Sequence, residues 1–154
     1  MRSTSPPALL AMFVLGACTT VAVQSSASRE PSSSERRPTV IGLAEAPRAI
    51  APSGTGSITH LALGDNAYLG LLRMDPGGAV PTHRDSTEEY IHVLEGGGTM
   101  IIDGQTHEIG AGATVFMPAN AEVSFQNGPE ELVAVQVFAG PEPAVKYEAW
   151  QAVN

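Results

Sequence analysis

From His60 onward the chain falls into short runs of β-branched, aromatic and aliphatic residues alternating with polar ones, each closed by Gly, Pro, Asn or Asp. The runs ITHLALG, NAYLGLLRM, EEYIHVLEG, GTMIIDG, QTHEIG, ATVFMPA, AEVSFQN and LVAVQVF predict about eight strands. A period of two puts Glu89, Ile91 and Val93 on one face of their strand and Glu88, Tyr90 and His92 on the other. Asp103-Gly104 separates two runs and predicts a type I′ hairpin, pairing Met100-Ile101-Ile102 antiparallel with Thr106-His107-Glu108-Ile109. Short antiparallel strands in about a hundred residues must close on themselves or pack as two sheets to protect their edges, so an all-β jelly roll or small barrel over residues 50–154 is expected.

Before this domain the pattern changes. An apolar run, Ala8 to Ala17, follows the single basic residue Arg2; it has the length of a signal-peptide core and is too short to span a bilayer as a mature helix. Leu15-Gly16-Ala17-Cys18 resembles a bacterial lipobox, with small residues before the cysteine. That resemblance implies cleavage before Cys18 and lipidation there, with two-chain anchoring in a membrane. Thr19 is not the Asp that retains lipoproteins in the inner membrane, so in a Gram-negative cell the rule implies the outer membrane, facing the periplasm. An ordinary secretory signal cut later, for instance after Ala27, is the alternative and would leave the protein secreted. Residues 19–49 are rich in Ser and Pro with few bulky side chains, and read as a disordered linker.

Composition narrows the function classes. The 154 residues allow one ordinary domain, and 16 Gly with 12 Pro favour turns over long helices. From Pro52 onward three basic side chains, Arg73, Arg84 and Lys146, face 13 acidic ones, a net of −10. Such a surface repels phosphate backbones, which argues against nucleic-acid binding. Cys18 is the single cysteine, so no intramolecular disulfide can form. No nucleophile motif, phosphate loop, dinucleotide fingerprint or internal repeat is present.

The region from Gly77 to Asn127 carries candidate chemistry. His83, Asp85, Glu89 and Gly96 follow Gly77 at spacings that match the pattern G-x5-H-x-H-x3-E-x6-G, with Asp85 in place of the second histidine. Gly112, Pro118 and Asn127 match G-x5-P-x-G-x2-H-x3-N, with Asn120 at the middle glycine and Val123 at the histidine. Over Leu71 to Phe138 the chain therefore resembles the cupin superfamily, in the form of a small single-domain cupin. The resemblance implies a jelly-roll barrel in which three histidines and one glutamate hold a divalent metal. Here it gives His83, Asp85 and Glu89 as metal ligands and Val123, which donates nothing, at the fourth corner. One imidazole and two carboxylates completed by water can bind Mn, Fe, Ni or Zn, the carboxylates favouring the harder ions; the other reading is a lost metal site with a polar barrel mouth.

His92 has the parity opposite to Glu89 and is expected to face away. His60 and His107 lack a ligand-like neighbour in sequence, though either could stand in from another strand. Glu88 reads as exposed, and Tyr90, Phe116, Phe125, Phe138 and Trp150 read as core or sheet-covering residues. The segment GPEPAVKYEAWQ is expected to wrap back, Trp150 covering an open edge or contacting a second barrel, since cupins commonly form a homodimer. Three functions compete: a small-molecule binding or sensing barrel with a degenerate metal site, a metal-dependent dioxygenase, isomerase or lyase acting on a small polar substrate, or a purely structural envelope lipoprotein, which the retention of His83 and Glu89 counts against. The Asp85 and Val123 departures favour the first.

Overall fold

The computed structural model describes residues 38–153. Cys18, the apolar run around it and the linker as far as residue 37 lie outside them. Eleven strands follow in chain order: β1 (Arg48–Ile50), β2 (Gly56–Leu63), β3 (Tyr68–Met74), β4 (Ala79–His83), β5 (Glu88–Glu95), β6 (Gly97–Ile102), β7 (Gln105–Gly110), β8 (Thr114–Met117), β9 (Val123–Asn127), β10 (Leu132–Ala139) and β11 (Gln151–Val153). They form a seven-stranded sheet in the order β11-β1-β2-β3-β10-β5-β8 and a four-stranded sheet in the order β4-β9-β6-β7. The pairings are antiparallel, which gives the all-β jelly roll that the runs predict.

All eight anticipated runs are strands. β5 alternates as expected, with Glu89, Ile91 and Val93 buried and Glu88, Tyr90 and His92 exposed. The hairpin joining β6 to β7 pairs Ile102 with Gln105 and Met100 with His107, and both turn residues have positive φ, 47° at Asp103 and 78° at Gly104, as a type I′ turn requires. Three strands escape the sequence pattern. β1 and β11 have three residues each, too few to show a period. β4 reads AVPTH, and its proline argues against an ordinary strand; it survives because β4 is a sheet edge and its register on β9 shifts between Val80 and His83, where Pro81 sits.

The core lies between the two sheets. Phe138, Ile58 and Val93 are its most enclosed large side chains, and Met74, Met100, Met117 and Phe125 join them from both sheets. After β10 the chain turns through Pro141 into a 3-10 helix, Glu142–Ala149, then runs as β11 against β1. The wrap-back is thus present. Trp150 packs edge-on against the buried Tyr147, ring centroids 4.8 Å apart, and rests on the core. The helix also sets Lys146 and Tyr147 beside the candidate site.

Candidate metal and ligand site

The motif residues divide into those that shape the backbone and those that carry chemistry. Gly96 has φ 71°, and a Cβ there would sit 2.2 Å from the Glu131 carbonyl oxygen, so no other residue fits. Asn120, at a motif glycine, keeps the left-handed conformation with φ 64°; asparagine tolerates it better than most side chains. Asn127 directs its side-chain amide at the carbonyls of Met74, Asp75 and Glu130, fastening the turns after β3 and β9. These three residues therefore maintain the frame.

That frame positions the ligands. His83 ends β4, and its Cα partner on β9 is Val123, so the fourth-corner residue stands directly across from it. The loop that carries Asp85 is tied to the turn before β9: the Asn120 amide donates to the Asp85 carbonyl at 2.7 Å, and Arg84 donates to the Asn120 carbonyl and pairs with Glu122 at 2.9 Å. Glu89 enters from β5, 5% exposed. His83, Asp85 and Glu89 each present a donor atom, and the three atoms lie within 4.8 Å of one another. They border a cavity of about 580 Å³ walled by Leu72, Met74, Ile91, Met100, Met117 and Phe125. Val123 adds a further apolar face to that wall.

Hydrogen bonds fix each group. His83 Nδ1 donates to the Pro81 carbonyl at 3.0 Å, which turns Nε2 toward Asp85, 3.6 Å from its Oδ2. The Lys146 ammonium donates to both Asp85 oxygens, at 2.9 and 3.2 Å, and lies 4.7 Å from the centre of the Phe138 ring. Gln136, inward from β10 and buried, donates to Glu89 Oε1 and accepts from the Tyr147 hydroxyl. A buried line thus runs Tyr147, Gln136, Glu89.

Electrostatics follow from these contacts. The Asp85 carboxylate 3.6 Å away raises the His83 pKa above its ordinary value, more than burial lowers it. Burial works to raise the Asp85 pKa, yet His83 and Lys146 together hold it below the usual carboxylate value. Burial dominates at Glu89 and pushes its carboxyl up in spite of Gln136 and Lys146. Burial likewise pushes the Tyr147 hydroxyl well up. The site therefore holds one ionised acid, a second that protonates more readily, and a resident ammonium.

The other sequence candidates lie elsewhere. His92 bonds Thr114 on the outer face of β5, and His107 is exposed on β7. His60 pairs with the Tyr68 hydroxyl at 2.9 Å and takes no part in the ligand cluster. Tyr90 and Phe116 form an exposed pair 5.1 Å apart on the outside of the sheet. Gln136, Lys146 and Tyr147 were not anticipated. Gln136 carried a usable signal, a polar side chain at the inward parity of an otherwise apolar strand.

Comparisons with known proteins agree with this architecture. Residues 70–138 match the Cupin_2 cupin domain. Over 71 residues the chain is 39% identical to the dimethylsulfoniopropionate lyase DddW of Ruegeria pomeroyi, a match covering 46% of this chain and 47% of the relative. The match thus spans about half the length of that curated relative. An RmlC-like cupin from Shewanella frigidimarina superposes with a TM-score of 0.60 at 16% identity, covering 67% of this chain and 92% of that one. The polyketide cyclase RemF of Streptomyces resistomycificus gives 0.59 at 23% identity, covering 68% and 80%. At such identities the likeness establishes the cupin fold alone.

Proposed function

We propose that this cupin-fold domain binds a small molecule whose polar end meets His83, Asp85 and Glu89 and whose apolar part enters the cavity behind them. The observation that carries this reading is the convergence of three ligand-capable side chains on one apolar cavity. The same donor set fits a divalent metal: an imidazole nitrogen whose other nitrogen is held by a carbonyl, with two carboxylates of mixed exposure. Mn or Fe(II) suits the carboxylates best, with Ni or Zn next. A bound metal would add positive charge and open coordination positions for the ligand; His83, Asp85 and Glu89 would hold it, and Val123 would give it nothing.

The identity to a lyase favours a second reading, a metal-dependent enzyme on a small polar substrate. In that reading Glu89, buried and held in place by Gln136, would be the ligand the reaction depends on. Export completes the proposal: lipid anchoring at Cys18, on the outer membrane facing the periplasm in a Gram-negative cell, with free secretion as the alternative. Detergent partitioning of wild type and Cys18→Ser tests it, and identical aqueous behaviour of both would refute anchoring.

One experiment separates the two functions. The chain, purified without chelator, is analysed for bound Mn, Fe, Ni and Zn and incubated with dimethylsulfoniopropionate, its binding followed by calorimetry and its consumption by proton NMR. Binding lost in His83→Ala without consumption marks a binding barrel, and consumption lost in Glu89→Gln marks an enzyme. Metal content and binding both unaffected by His83→Ala would overturn the site.

A further inference from the structure

Of the three basic residues from Pro52 onward, Arg73 pairs with Glu131 and Arg84 with Glu122 at half-exposed positions. Lys146 instead reaches the ligand cluster. Its ammonium engages both oxygens of Asp85 and faces the ring of Phe138, which is wholly buried. The residue after it, Tyr147, is fastened through Gln136 to Glu89. The 3-10 helix is thus tied to two of the three candidate ligands by two separate contacts.

Asp85 stands where the motif has a histidine, and a neutral imidazole would not need a counter-charge. An aspartate there places an ionised carboxylate, 14% exposed in its side chain, beside a second acid, an arrangement that requires a nearby cation. From these contacts we infer that Lys146 is the resident cation of the cluster, an internal ammonium that a divalent metal must displace from Asp85 in order to bind. The inference rests on the reading of His83, Asp85 and Glu89 as a metal-competent set. Both Asp85 oxygens accept from the ammonium, so a metal on Asp85 would share that carboxylate with a like charge in direct contact with it. An ammonium left in place would repel a divalent ion a few ångströms away.

The test is titration calorimetry of the full chain with Mn²⁺ and Zn²⁺ on wild type, Lys146→Gln and Lys146→Arg. Removing the ammonium while keeping most of its stem should tighten metal binding roughly ten- to a hundredfold, the scale set by losing one nearby like charge. Lys146→Arg keeps the charge and should bind as weakly as wild type, which guards against a gain caused by loosened folding. Trp150 is the single tryptophan and packs on Tyr147 at the end of the same helix, so its emission should change when metal enters the wild type and much less in Lys146→Gln. Affinity in Lys146→Gln within about twofold of wild type, or no metal binding in any variant, overturns the inference. The double variant His83→Ala/Lys146→Gln separates it from the reading of the site. A gain abolished by His83→Ala supports both, whereas a gain that persists places the metal elsewhere and overturns both. Loss of binding on His83→Ala with no gain from Lys146→Gln leaves the site standing and refutes the displacement.

Discussion

Gln136 is the side chain on which the interior of the site depends. Its amide nitrogen donates to Glu89 Oε1 and its amide oxygen accepts from the Tyr147 hydroxyl, with all three residues about 5% exposed. Gln136→Leu preserves volume and apolar packing on β10 but leaves the Glu89 carboxyl and the Tyr147 hydroxyl without that partner. A buried polar group so orphaned costs about 1–3 kcal/mol, so two should cost about 2–6 kcal/mol. For a domain of this size each kcal/mol lowers Tm by about 4 °C, which predicts a fall of roughly 8–24 °C. The decisive comparison adds Tyr147→Phe. Once Gln136 is leucine the hydroxyl is already orphaned, so removing it should recover stability, whereas in wild type Tyr147→Phe should destabilise. The coupling between the two changes should be about 1–3 kcal/mol, from urea unfolding followed by circular dichroism. Additive effects, or a cost below about 1 kcal/mol for Gln136→Leu, would show that the line from Tyr147 to Glu89 does not hold the site together.

Val123→His puts an imidazole across from His83 and should raise Mn²⁺ or Zn²⁺ affinity at least about tenfold in calorimetry; at a hundred times the dissociation constant, metal should then add about 2.7 kcal/mol of stability. No gain would mean that Val123 does not occupy the ligand corner. His60 has a pKa lowered from 6.5 by burial, so its folded state resists protonation and its contribution, present above pH 6.5, is lost as pH falls through the lowered value. His60→Gln should therefore flatten the decline of urea-unfolding stability on the acid side of pH 6.5, and an unchanged slope would remove His60 as its source.

The fold was legible because its strands obey the period-two rule wherever a strand is long enough to show one. β5 reads off its own sequence down to which side chains are buried. β4 does not, because Pro81 imitates a loop signal, yet β4 carries His83. The position of that histidine came from motif spacing instead. The motif resemblance put Val123 at the fourth corner, but its pairing with His83 across β4 and β9 is something no local pattern encodes. What remained hidden depends on tertiary return. Lys146 lies 61 residues from Asp85 and sits on an irregular segment, a 3-10 helix between prolines and a short strand. Its scarcity as a cation in an acidic domain was the one hint, and scarcity alone does not name a partner.

The three departures from the motif differ in physical kind, and that difference separates fold from chemistry. Asn120 replaces a glycine yet keeps positive φ, so the turn that holds Asp85 through a backbone hydrogen bond survives. Val123 replaces a histidine with an apolar side chain that is 6% exposed and walls the cavity, so it exchanges a ligand for binding surface. Asp85 replaces a neutral donor with an anion, and the chain meets that charge from its own C-terminal segment with Lys146. The backbone requirements are thus kept while the electrostatics of the mouth are redrawn, from a set of neutral imidazoles around an acid to an acid pair closed by an ammonium. A ligand approaching this mouth meets an ion pair with an apolar chamber behind it. In the proposed binding role, its selectivity would come from how its polar end competes for Asp85 and Lys146, and from how well its apolar part fills the space beside Val123.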